Sequence, residues 1–193
     1  MRTTNTILAA SLALALTACA SNDADVTTEV KAQATEMQAN LNNTDLFEVH
    51  WEGRVYVFDD MGTYNEFLEV GETSYHQTFI GAGPDGQTLV FGMTSEDKKK
   101  HYSQIAAYNL YMGTLPAAED FYGEMRIEGR IYVFDKVEDM KTVRSLGEAP
   151  LRYSDIGSGP NGETVVYVLR SDNKKKKPEA LIERFKKHNH IKA

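Results

Sequence analysis

The chain contains one segment twice. Moved forward by 76 positions without a gap, His50–Lys100 lies on Arg126–Lys176, and 20 of the 51 positions are identical. Glu52-Gly53-Arg54-Val55-Tyr56-Val57-Phe58-Asp59 matches Glu128-Gly129-Arg130-Ile131-Tyr132-Val133-Phe134-Asp135, and Gly81-Ala82-Gly83-Pro84-Asp85-Gly86 matches Gly157-Ser158-Gly159-Pro160-Asn161-Gly162. Whatever unit the segment builds must therefore be built twice. Two copies are too few for a solenoid, which needs about three or more repeats to bury a continuous core. The expected fold is α+β: a pseudo-symmetric pair of β-β-α-β-β-α units, as one domain or two small lobes. Residues 46–112 are the first repeat, 113–120 a linker and 121–193 the second.

Each copy has the same internal punctuation. Phe47–Trp51 and Arg54–Phe58 are β-branched and aromatic, and they flank Glu52-Gly53; they read as a hairpin. Tyr56 and Phe58 alternate with Val55 and Val57, so both faces of this strand are apolar and it belongs inside a sheet. Helices follow. Asp135 with Glu138 three residues on has the pattern of a capping box, and Asp59 or Asp60 would cap the first copy. The expected buried faces are Met61, Tyr64, Phe67, Leu68 and Val70, and then Val137, Met140, Val143 and Leu146. Gly71 and Gly147 stand where a left-handed helix stop belongs. A second hairpin turns at Pro84-Asp85-Gly86 and at Pro160-Asn161-Gly162. A helix from about Ser95 to Met112 closes the first copy, and one from about Pro178 to His188 closes the second.

The N-terminus is of another kind. Met1-Arg2 gives a small positive start. Ile7 to Leu16 is apolar but too short to span a bilayer, which takes about 20 residues. Leu16-Thr17-Ala18-Cys19, ending in the only cysteine, resembles the lipobox of a bacterial lipoprotein signal. The resemblance implies cleavage before Cys19, lipidation of its sulfur and acylation of its amino group. At about 0.8 kcal/mol per buried methylene, three acyl chains would hold the protein at a membrane almost permanently. The residue after the cysteine is Ala20, not Asp, which by the same resemblance implies the outer membrane. A lipidated Cys19 leaves no thiol for disulfides, thiolate catalysis or metal clusters. Residues 19–45 are then a tether. Val26, Val30, Ala34, Met37 and Leu41 form a narrow stripe at helical spacing, either on a spacer or on a helix packed against the body.

Few motifs carry chemistry. Gly81-x-Gly83-x-x-Gly86 and Gly157-x-Gly159-x-x-Gly162 have dinucleotide-fingerprint spacing, but a strand rather than a helix follows and a proline removes one amide donor, so the hairpin reading stands. Lys98, Lys99 and Lys100 align with Lys174, Lys175 and Lys176, and Lys177 extends the second run. Placed before helix starts, they oppose the helix dipole, and they are the candidate anion-binding residues; the alternative is a solvated charged loop. Residues 19–173 hold 12 Lys/Arg and 26 Asp/Glu (net −14), while residues 174–193 hold 8 and 2 (net +6). That balance argues against nucleic acid. His50, His76, His101, His188 and His190 have no metal-ligand spacing. Asp59 and Asp135 end strands, as active-site acids do, but capping accounts for them. No serine sits in a nucleophile elbow. Among the tyrosines, Tyr102 and Tyr108 suit the core, and Tyr111 with Met112 suits a contact with the second copy. The Tyr56-x-Phe58 strand after Glu-Gly-Arg is similar to small metal-binding modules of the YHS type, whose cysteines are missing here.

The expected protein is an outer-membrane lipoprotein facing the periplasm or the cell surface, a non-catalytic binding or assembly module without a cofactor or metal. Its expected partners are the membrane through the lipid, and an envelope protein or an anionic glycan. The alternative role is capture of a small ligand or anionic glycan by an inter-repeat cleft with the lysine clusters; an envelope enzyme ranks below both.

Overall fold

Glu52 and Gly53 both adopt left-handed backbone (φ 50° and 73°), the geometry a two-residue hairpin turn needs to match strand twist. They join β1 (Asp45–Trp51) to β2 (Arg54–Phe58), with Trp51 opposite Arg54. Glu128 and Gly129 repeat the turn (φ 51° and 72°) between β5 (Tyr122–Ile127) and β6 (Arg130–Phe134). The computed structural model describes residues 41–191, all within one compact unit, Met37–Ala193. The signal segment, Cys19 and the tether stripe from Val26 to Met37 lie outside the described residues.

The fold is mixed α/β, one eight-stranded sheet with four α-helices among the described residues. Besides the strands above it contains β3 (Tyr75–Phe79), β4 (Thr88–Met93), β7 (Arg152–Asp155) and β8 (Thr164–Val168). The spatial order is β3-β4-β2-β1-β5-β6-β8-β7. β1 pairs in parallel with β5, Asp45 beside Tyr122 and Val49 beside Arg126. The sheet thus runs unbroken from one half of the chain to the other. β2, β4, β6 and β8 point one way, and β1, β3, β5 and β7 the other.

Two cores follow from the pleat. On one face Leu46, Val55, Val57 and Phe91 pack with Met125, Tyr132, Phe134 and Val166. On the other, Phe47, Tyr56, Phe58 and Val90 pack with Tyr122, Ile131, Val133 and Tyr167. Each face is covered by one helix from each half: α2 (Ala106–Met112) and α3 (Val137–Leu146) on the first, α1 (Met61–Val70) and α4 (Glu179–His188) on the second. Residues 76 apart consequently lie on opposite faces, as Leu46 and Tyr122 do, or Tyr56 and Tyr132.

Several sequence expectations are corrected. Ser95–Met112 is not one helix. Asp97 and Lys100 close successive turns onto Thr94 and Asp97, the second spanning the adjacent lysines, and His101 caps a 3-10 turn at Tyr102–Gln104 before α2 begins. Asp135 caps nothing: Lys136 is the N-cap of α3 and makes no side-chain bond there, because Arg170 engages Asp135 from the end of β8, Nη1 donating at 2.5 Å and Nη2 at 3.1 Å. In the first half Asp60, not Asp59, caps α1, accepting from the Thr63 amide at 2.7 Å. The apolar stripe of α1 holds Tyr64 and Phe67 but not Leu68 (38 % exposed) or Val70 (67 %), and Leu146 also faces solvent. Each short helix meets the sheet along one narrow line that runs out at its glycine cap.

Two fully buried glutamates, Glu48 on β1 and Glu124 on β5, face opposite sides of the sheet, and each is held from the other half of the chain. Arg144 of α3 donates to both Glu48 oxygens, from Nη2 at 2.6 Å and Nε at 3.0 Å, and its guanidinium lies 4.0 Å from the centre of the Tyr111 ring. Glu124 accepts from the hydroxyls of Tyr64 of α1 (3.0 Å) and Tyr122 (2.5 Å), and from the Asn189 amide at 2.7 Å. Among the described residues, His50 Nε2 and the Tyr111 hydroxyl have no hydrogen-bond partner. Tyr111 thus does contact the second half, as its position suggests, and does so beneath a cation.

Candidate functional site: the Trp51 groove

The helices are shorter than the strands they cover. On the α1 face, α1 ends at Gly71 and leaves the outer part of the sheet over β2, β4 and β3 open. The uncovered region is a groove of about 560 Å³, within the roughly 300–1,000 Å³ of small-molecule sites. Trp51, Tyr56 and Val90 form its floor, and Arg54, His76, Thr78, Ile80 and Thr88 rise around it, with Glu52, Glu72 and Thr73 on the rim. The alternation of the strands sets this list. Thr78 stands beside Val90 and Arg54 beside Thr88, so all their side chains emerge on one face.

Trp51, the only tryptophan of the chain, is 45 % exposed. Its ring lies 6.1 Å from Phe67, edge-on, and 6.4 Å from Tyr56. Gly71 makes room for it. A β-carbon there would stand 3.3 Å from the indole, and the φ of +79° is one that side chains rarely accept. At Gly147, where Ile127 replaces the tryptophan, nothing lies within 4 Å. Ile80, at the far wall, is 89 % exposed.

Arg54 donates from Nη1 to the Tyr56 hydroxyl at 3.2 Å, and that bond is the first cause of its raised pKa, with a minor contribution from the charge of Glu52. Among the described residues it has no ion-pair partner, whereas Arg126, Arg144, Arg152 and Arg170 all pair with carboxylates. The groove therefore offers an aromatic floor, hydroxyl and imidazole groups, and a guanidinium held by Tyr56 and without an ion-pair partner among the described residues.

The sequence candidates fall elsewhere. Lys98, Lys99 and Lys100 follow β4, and Lys174, Lys175, Lys176 and Lys177 follow β8. Both runs are at the end of the sheet opposite the groove, with four strands between them. At roughly 4.8 Å per strand they are about 24 Å apart and do not form one site. Lys100 pairs with Asp97 at 2.6 Å, Lys98 lies over the Tyr75 ring and Lys177 over the Tyr153 ring. Lys176 and Lys177 line a second cavity of about 360 Å³ beside the start of α4, where Asp135 and Glu179 oppose them. Asp59 is largely buried. Burial first, and then the charge of Asp97, push its carboxyl up to about 7, because Thr94 stands where Arg170 serves Asp135. The Pro84 and Pro160 loops are hairpin turns, closed by Gly86 to Gly83 and Gly162 to Gly159. Among the described residues no group of three or more His, Cys, Asp or Glu is placed to hold a metal ion.

The groove was not read from the sequence, and neither were Glu48 and Glu124. The 76-residue offset carries two residues further back to Glu48 and Glu124 themselves, an identical acid in two apolar strands, and that identity was the available signal. No family model, curated protein or solved structure matches the chain.

Proposed function

We propose that the chain is an outer-membrane lipoprotein held through Cys19, and that its body is a non-catalytic binding module which takes its ligand in the Trp51 groove. The single observation that carries this reading is an exposed tryptophan on an open, structured floor beside an arginine with no acidic partner among the described residues. A large apolar ring left in water and braced by its neighbours marks a contact surface. Residues 41–44 lead into β1 at the end of the sheet opposite the groove, so the chain entering the body does not cover it. Glu48 and Glu124, the two fully buried carboxylates, are engaged by structural partners, which favours binding over catalysis.

We also infer that the body is a duplicated β-β-α-β-β-α unit whose copies are related by a half-turn about an axis along the strands. The 20 identities, the recurring order of elements, the parallel pairing of β1 with β5 and the exchange of faces between residues 76 apart support it. The copies differ at the groove: Ile127 stands where the first has Trp51, and Arg152 where it has His76.

Two measurements test the reading. Cys19→Ser should move the protein from the membrane to the soluble fraction and abolish labelling by radioactive palmitate; retention at the membrane overturns the anchor. Because Trp51 is the sole tryptophan, its emission reports on the groove. Size-fractionated envelope extract should contain a fraction that shifts the emission of the full chain in detergent and leaves Thr78→Val, Arg54→Gln unshifted. If no fraction shifts it, the groove is not a binding site.

A further inference from the structure

Resting on the groove as the binding site, the geometry points to its ligand class: a pyranose sugar bearing a carboxylate, stacked on Trp51 with its acid group on Arg54. Three features of the groove converge on this chemistry. The first is the floor. A pyranose has one face of C–H groups and a perimeter of hydroxyls. Such a face lies flat on an indole, and an open floor on a pleated sheet admits it while leaving the perimeter wet. The second is the wall. Thr78 and Thr88 on adjacent strands each offer a hydroxyl that donates and accepts, Thr73 on the rim offers an acceptor because its hydroxyl donates to the Tyr75 carbonyl at 3.0 Å, and the Glu72 carboxylate only accepts. That mixed set matches a ring of hydroxyls and suits neither a purely apolar ligand nor a polyanion.

The third feature is Arg54. Its guanidinium is pinned by the Tyr56 hydroxyl at 3.2 Å, which leaves the rest of its fork of donors free. A planar fork binds a carboxylate with two parallel hydrogen bonds. The pinning matters because it fixes the cation beside the aromatic floor before the ligand arrives. Loss of conformational freedom on binding is correspondingly smaller. One guanidinium, flanked on the rim by Glu52 and Glu72, selects a single negative charge on an otherwise hydroxylated molecule. A chain of closely spaced anions would meet those two carboxylates.

The test titrates the full chain in detergent with methyl β-D-glucuronoside and, separately, with methyl β-D-glucoside, following Trp51 emission. The acid sugar should shift the emission and bind at least about tenfold more tightly than the neutral one, the factor that corresponds to roughly 1.4 kcal/mol, with the preference shrinking as salt is raised. Arg54→Gln should remove the preference; Arg54→Lys should restore part of it. Arg54 is exposed and Tyr56 remains packed, so the urea midpoints of both variants should match that of the parent. Equal affinity for the two sugars, or a preference that survives Arg54→Gln, overturns the acidic-sugar assignment. If neither sugar shifts Trp51 while a fraction of envelope extract does, the ligand class is wrong and the groove stands. If extract and sugars are both silent, the groove itself fails.

Discussion

At the scale of single residues, the copied positions that differ are the informative ones. Gly71 and Gly147 cap equivalent helices with φ of +79° and +76°, yet only Gly71 lies against an indole. Both Gly→Ala variants should lose about 1 kcal/mol to backbone strain, and only Gly71→Ala should also shift the emission of Trp51; identical emission in the two would show that the indole is not seated on the cap. Asp59 and Asp135 are a second such pair. The folded-state pKa of Asp59, about 7, is above that of an unfolded aspartate, near 3.9. The native chain therefore holds an extra proton between those values, and its stability falls as pH rises from about 4 to about 7. Asp59→Asn should flatten that slope and raise the unfolding free energy measured in urea above pH 7, by an amount on the order of a few kcal/mol at most. Asp60, Asp97 and Lys100 also face this carboxyl, and parallel pH profiles for parent and variant would assign the slope to them instead. Neither contrast could be read in the sequence. The glycine gave its cap but not its neighbour, and Asp135 looked like a cap because its true partner, Arg170, is 35 residues away.

At the scale of elements, the strands and hairpins were the legible part, since alternation and turn residues are local. The apolar double face of β2 correctly set it inside the sheet, between β1 and β4. The segment 95–105 was misread because helix-forming composition continued through residues that side-chain and turn hydrogen bonds had already claimed. The bracing of β1 and β5 by opposite helices was invisible for a related reason: Glu48 and Arg144 are 96 residues apart. Burial works to raise the Glu48 carboxyl, but the charge and hydrogen bonds of Arg144, with His50 Nε2 3.8 Å away, outweigh it and hold the pKa below the usual value. The stability it lends is present above the unfolded carboxylate pKa and is lost as pH falls through the folded one. Arg144→Met should cost about 3–5 kcal/mol by stranding a buried charge, and adding Glu48→Met should recover most of that loss. A double variant no more stable than the single one would show that the pair does more than neutralise itself.

At the scale of the whole molecule, the two halves share one sheet, and each buried acid accepts a hydrogen bond from a side chain of the other half, Glu48 from Arg144 and Glu124 from Tyr64. A half-length piece would expose β1 or β5 as an unpaired strand. Urea unfolding followed by Trp51 emission, which reports on the first half, and by far-ultraviolet circular dichroism, which reports on both, should give coincident curves; an earlier transition in either signal would mean that the halves melt separately. The relation between the halves has one more consequence. Arg54 and Tyr56 are matched in sequence by Arg130 and Tyr132, but the two pairs look outward from opposite sides of the sheet, like the two heads of a rivet. A flexible polymer gripped on one side gains no effective concentration at the other. Any valence beyond one that this architecture acquires is a valence for stapling separate strands together, not for holding a single strand more tightly.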